Sequence, residues 1–273
     1  MTIQDFNLSL PFQDVFPDVW GTDMGPRDFM MFRNLDHFKH EMTKIKQKED
    51  NNCGMTYNNA LNMLLMGKTD FPKAEQEDIR NLVRSNLHKR GLITEEVYEN
   101  FRYTTDGTAV DFDMGKYANG EPDCVMSPSR QYIDFFYELY VNISYPHYVS
   151  NEAVRKSVAR LLATVEELER QHIYIKITLI LPIKNCANNR DRSNFFACVP
   201  LFSHKSRKSV DMMSSVVNDR LLRKFFFAVL ENLYKKDLSS SYGTATSMDG
   251  TMNVGDKFDE IKFFKTVKET VGA

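Results

Sequence analysis

Residues 135–181 constrain the fold of this chain more than any other stretch. Residues 135–144 read FFYELYVNIS, aromatic and β-branched, and predict a strand buried on both faces. Residues 173–181 read IYIKITLIL and predict a second strong strand. Between them, Ser150 stands at the cap position of a helix over 151–170 with an apolar stripe of Val154, Val158, Leu161, Leu162, Val165 and Leu168. Strand, helix of about five turns and strand make a βαβ unit, which implies parallel pairing and a right-handed crossover.

The flanking sequence extends this unit in both directions. Residues 195–202 (FFACVPLF) predict a third strand, with Pro200 limiting its length or placing it near an edge. Helices are expected over 206–217 and 219–235, then a Ser-, Gly- and Thr-rich loop over 239–256, and a last strand turning into a helix. Upstream, 1–25 reads as an irregular arm around Trp20. A helix is expected over 27–48 on Phe32, Leu35, Phe38, Met42 and Ile45. Thr56 caps a helix closed by Gly67, Pro72 opens another that stops at Gly91, and Thr94 caps a short one. Residues 109–114 alternate as a strand would, and 119–130 read as a loop. The expected fold is therefore α/β: a Rossmann-like sheet with flanking helices over 106–273, preceded by a mainly helical region over 1–105.

Composition narrows the function. Hydrophobic residues make up 42% and aromatics 12%, enough for a substantial core. The formal net charge of −2 supplies no global attraction to nucleic acid or to an acidic membrane. No apolar run approaches the ~20 residues that span a bilayer. The N-terminus lacks the basic and apolar regions of a signal peptide. Cys53, Cys124, Cys186 and Cys198 form no CxxC pair and have no histidine at zinc spacing, which fits a reducing compartment. A cytoplasmic protein without membrane contact is expected.

Charge is locally uneven. Residues 95–124 hold eight acidic and two basic side chains, and 204–236 hold eight basic and three acidic. Within the first window, Asp111, Asp113, Glu121 and Asp123 could form a metal-binding acidic cluster of the kind a nuclease or phosphoesterase needs, or a turn with solvated acids. Within the second, Lys205, Arg207, Lys208, Arg220, Arg223 and Lys224 could meet phosphates beside the Phe225–Phe227 run, or form a solvated face over an apolar stripe. His147 and Tyr148 follow the first strand, where a histidine could act in acid–base work. No nucleophile elbow, dinucleotide fingerprint or P-loop is present.

The run from Gly107 to Cys124 (G-x-x-V-D-F-D-M-x-x-Y-x-x-G-E-P-D-C), followed by strand, capped helix and strand, resembles an uncharacterised family of tailed-bacteriophage proteins with a von Willebrand factor A-like domain. The helix TYNNALNMLLMG, the stretch NDRLLRKFFFAVLE and the SYG turn at 241–243 resemble further parts of that family. The resemblance implies a Rossmann-like domain and a phage origin, with no assigned reaction. Von Willebrand A domains hold Mg²⁺ at the first strand end through Asp-x-Ser-x-Ser. Here that position carries Asn142, Ser144 and Pro146, so Asn142 and Ser144 form a degenerate metal site or tie down the loop.

Three roles follow. The first is a non-catalytic interaction module that presents strand-end loops 142–150, 183–194 and 203–210 to a partner protein, or to a second copy in a homo-oligomer. The second is a metal-dependent hydrolase working through the acidic 111–123 segment. The third is a nucleic-acid-binding protein using the basic 205–224 region.

Overall fold

The computed structural model describes residues 27–45, 56–67, 71–93, 101–104, 111–120, 125–128, 134–146, 148–183, 194–217, 225, 228, 232, 251–255 and 257–272. In chain order its elements are β1 (Arg27–Met31), α1 (Leu35–Lys44), α2 (Tyr57–Met66), α3 (Lys73–Lys89), β2 (Phe101–Thr104), β3 (Asp111–Phe112) and α4 (Met114–Ala118). There follow β4 (Val125–Pro128), β5 (Phe135–Asn142), α5 (Asn151–Glu169), β6 (Ile173–Ile183), β7 (Asn194–Phe202), α6 (Val210–Val217), β8 (Met252–Asn253) and α7 (Glu260–Val271).

The βαβ unit is present. Strands β5 and β6 pair in parallel from Phe135↔Ile173 to Asn142↔Ile180. The α5 crossover between them is capped by Ser150, whose Oγ accepts the Ala153 N–H at 3.2 Å. They lie in a five-stranded mixed sheet of order β1-β7-β6-β5-β8. Strand β8 runs parallel to β5, whereas β7 is antiparallel to β6 and parallel to β1. This is a mixed α/β arrangement with flanking helices, compatible with a Rossmann-like fold.

Several expectations are corrected. The helix expected over 27–48 begins only at Leu35, because residues 27–31 pair with β7 as a strand. Asn34 sets the break: its side chain accepts the His37 N–H at 2.8 Å as an N-cap. The loop expected over 119–130 contains β4, the middle strand of a separate antiparallel sheet β2-β4-β3. The strand expected over 109–114 ends at Phe112 because Asp113 caps α4, and 109–110 lie outside the described residues. The closing segment is helical throughout, from the Asp259 cap to Gly272 in a left-handed conformation.

Pro200 lies in an interior strand, where it meets a register shift between Ile177 and Thr178. A bulge accommodates a residue with no N–H to give the ladder. The arm at 1–25, the helix expected from Thr94 and most of 219–235 lie outside the described residues. Of the last, Phe225 and Ala228 are helical and buried.

Burial on both faces holds for only part of β5. Its odd-numbered side chains enter one cluster with those of β6 and α5, while Phe136 on the other face is 53% exposed. Higher on that face, Asn142, Thr178, Ile180 and Cys198 are buried. The main cluster runs from Phe32 to Val267 and joins α1, α2, α3, α5, α6 and α7, so it is continuous across position 105/106. Among the described residues no helix is long and apolar enough to cross a membrane.

Candidate functional site

Ligands of open α/β sheets meet the carboxyl ends of the strands, so the ends of β5 and β8 come first. These neighbours finish in register, Asn142 beside Asn253. Each asparagine closes a small turn on its own chain. Asn142 Oδ1 accepts the Ser144 N–H at 2.8 Å, and Asn253 Oδ1 accepts the Gly255 N–H at 2.8 Å. The turns are tied together, since the Val254 N–H donates to Asn142 O at 3.1 Å and Asn253 Nδ2 donates to Ser144 O at 3.3 Å. Gly255 is required by close packing: a Cβ there would lie 2.6 Å from Tyr145 Cβ.

Beyond the turn, the loop 143–150 is fixed at several points. Tyr145 is buried and its hydroxyl donates to Val217 O at the end of α6, 3.0 Å away. The Val149 N–H donates to Pro146 O, and Ser150 caps α5. Tyr148 projects from this braced loop with 78% of its surface exposed. His147 lies outside the described residues.

The donor set here does not fit a resident Mg²⁺. Asn142 is fully buried, its amide oxygen already holds the Ser144 N–H, and neither Asn142 nor Ser144 supplies the charge a hard cation needs. Among the described residues no three His, Cys, Asp or Glu side chains group to hold an ion. Asn142→Asp tests this. A carboxyl buried there titrates above its unfolded value of about 3.9. The folded state then holds more protons than the unfolded state between the two values, so stability falls as pH rises through that window. Thermal melts of the variant should show that fall, and melts of the unaltered chain should not move in excess Mg²⁺. A rise in the melting temperature of the unaltered chain on adding Mg²⁺ would restore the metal site.

The other sequence candidates that are described have separate roles. Asp113 Oδ1 accepts the N–H groups of Gly115 and Lys116, which makes it a helix cap. The side chains of Asp111, Glu121 and Asp123 lie outside the described residues, as do Arg220, Arg223 and Lys224. Lys208 is an internal tie and not part of a solvated basic face: its side chain is 6% exposed, it pairs with Glu169, and it donates to Ser203 O at 3.2 Å. Lys205 is exposed and bonds Asp134 at 2.7 Å. Because β7 is antiparallel, loop 203–210 stands at the opposite end of the sheet from loop 143–150. The expected single surface of three loops is therefore split.

At that lower end the open sheet face carries an aromatic group. Phe136 and Tyr174 are cross-strand partners stacked with centroids 6.0 Å apart, and the His204 ring meets Phe136 edge-on at 5.2 Å. The Lys205 ammonium sits 4.9 Å from the Tyr174 centroid. The hydrogen bond from Lys205 holds the Asp134 carboxyl below its ordinary range. Burial opposes ionisation of Glu138, but hydrogen bonds from Lys176 and Tyr140 outweigh it and hold this carboxyl low too. Burial lowers the His204 imidazole from its ordinary 6.5. The unfolded chain then binds the proton more readily, so this contribution to stability is lost as pH falls below about 6.5. Melting temperatures from about pH 7 to pH 5 should fall less steeply in His204→Phe than in the unaltered chain. Parallel curves would remove His204 from the account.

Neither the twin turn nor the exposure of Tyr148 was expected from sequence. The only local signal for the turn is the repeat of Asn-x-small at 142–144 and 253–255, more than a hundred residues apart. Residues 24–267 match a family model described only as a domain of unknown function. No curated protein and no solved structure matches the chain.

Proposed function

The chain belongs to the DUF7192 family, a domain of unknown function, and we propose that it is a non-catalytic interaction module whose loop 143–150 docks a partner protein. One observation carries this reading. The polar groups of the strand end brace the loop from within, while Tyr148 stands 78% exposed upon it. A tyrosine on a rigid loop supplies large contact area at low ordering cost, which is how many protein-binding loops are built.

The same reading takes the domain as von Willebrand A-like with a spent metal site. Its support is the position of Asn142-x-Ser144 after a parallel strand and before a capped crossover helix. A phage origin rests on the motif resemblance in 56–67 and 107–124. A cytoplasmic location is supported by the scattered cysteines, of which Cys198 is a buried thiol whose pKa burial pushes up.

A photo-crosslinking amino acid placed at position 148, and at exposed Lys262 on α7 as a control, tests the proposal in the cell that makes the chain. A protein adduct specific to position 148 is expected. Tyr148→Ala should then weaken that association by about tenfold or more, with stability unchanged to within about 0.5 kcal/mol. Equal adducts at both positions, or undiminished association of the alanine variant, would reject it.

A further inference from the structure

A second site lies on the flank of α5, away from loop 143–150. A cleft of about 550 Å³ opens between α3, α5 and the segment leading into α6. That volume falls within the roughly 300–1,000 Å³ of small-molecule sites. Ala159 and Ala163, one helical turn apart, supply with Leu162 and Val210 the apolar part of a mostly polar lining.

The walls are charged, and the charges can be matched in turn. Four basic and three acidic side chains line the cleft. Lys73 pairs with Asp211, which also accepts Gln76 Nε2 at 2.9 Å. Arg80 Nε lies 3.0 Å from Glu166 Oε2. Lys208 pairs with Glu169, although burial still holds the Glu169 carboxyl above its ordinary range. Arg207 is left over: it is exposed and has no ion pair among the described residues. Among its lining residues the cleft therefore carries one positive charge in excess, on an arginine whose planar fork suits an anionic oxygen pair. The first turn of α6 adds little, because Asp211 and the Ser209 cap already occupy it.

We propose that this cleft binds a small organic phosphate. Arg207 grips the phosphate, Lys73 lines the same cleft while held by Asp211, and the organic body covers the apolar part of the lining. The excess charge calls for an anionic head, and the small apolar part of the lining calls for a short carbon body. Bare phosphate satisfies only the first requirement.

Calorimetric titration of the full chain with adenosine monophosphate, glucose 6-phosphate, inorganic phosphate and uncharged adenosine tests this. At least one of the two organic phosphates should bind saturably below about 10 mM, and more tightly than inorganic phosphate or adenosine. Arg207→Ala should weaken it by about tenfold or more, and Arg207→Lys by less. Arg207 is exposed, so these variants keep the fold. Ala163→Leu, checked by thermal melt, should exclude the organic phosphate while leaving the inorganic ion unaffected. The proposal is overturned if neither organic phosphate binds, if inorganic phosphate binds as tightly, or if Arg207→Ala binds like the unaltered chain. It is also overturned if a single-stranded oligonucleotide competes far better than either monophosphate.

Discussion

Phe38→Ala is expected to lower the unfolding free energy of the whole chain by about 3–5 kcal/mol. Phe38 is fully buried on α1. It meets the Phe32 ring edge-on at 4.9 Å and the Phe225 ring at 6.2 Å. It thus joins a segment near the N-terminus to one almost two hundred residues later. Truncation removes the apolar area of the ring and leaves a cavity that rigid neighbours fill only in part. The loss should shift a single denaturation midpoint, because Phe38 belongs to the same cluster as β5, β6 and α5. Urea unfolding followed by far-ultraviolet dichroism and by tyrosine fluorescence measures it. A separate early transition confined to the helical segments, with the main midpoint unmoved, would show that the first hundred residues fold as an appendage.

Gly255→Ala is expected to cost about 1–3 kcal/mol, a large penalty for one methyl group. The added Cβ would fall 2.6 Å from Tyr145 Cβ and 3.2 Å from Asn253 Oδ1. Neither neighbour yields easily. Tyr145 is buried and tied through its hydroxyl to Val217 O, and Asn253 Oδ1 holds the turn itself. The strain should therefore pass into loop 143–150 and displace Tyr148. Two readouts separate this from a plain loss of stability. The midpoint of urea unfolding should fall, and the amides of 143–150 should exchange faster under native conditions while those of β6 keep their protection. Uniform acceleration across the sheet would mean that the glycine only stabilises the fold and does not shape the loop.

Much of the fold was legible because it is written in local periodicity. The alternation from Ile173 onward, the stripe from Val154 to Leu168 and the Ser150 cap define the βαβ unit without help from the rest of the chain. The Thr56 cap and the Gly67 stop were visible for the same reason, and both serve as such. Residues 27–31 misled because a helical stripe was extended backwards into a segment whose structure comes from pairing with β7. The stretch around Val125 misled because its turn residues hid a short strand that only cross-strand partners reveal. At the candidate site, the sequence pointed to Asn142 and Ser144 but not to their role. That role depends on Asn253, which reaches the neighbouring position only through the order of the sheet.

The sequence by itself determined the parallel β5–α5–β6 unit, because burial periodicity, the helix cap and the length of the crossover are local quantities. Tertiary structure alone decided the antiparallel turn of β7, which carries loop 203–210 to the far end of the sheet and buries Lys208 against Glu169. It also decided the meeting of Arg80 with Glu166 and of Lys73 with Asp211 around one cleft. The direction of a strand and the partner of a charge are set by long-range packing, which leaves no period in the chain to be read.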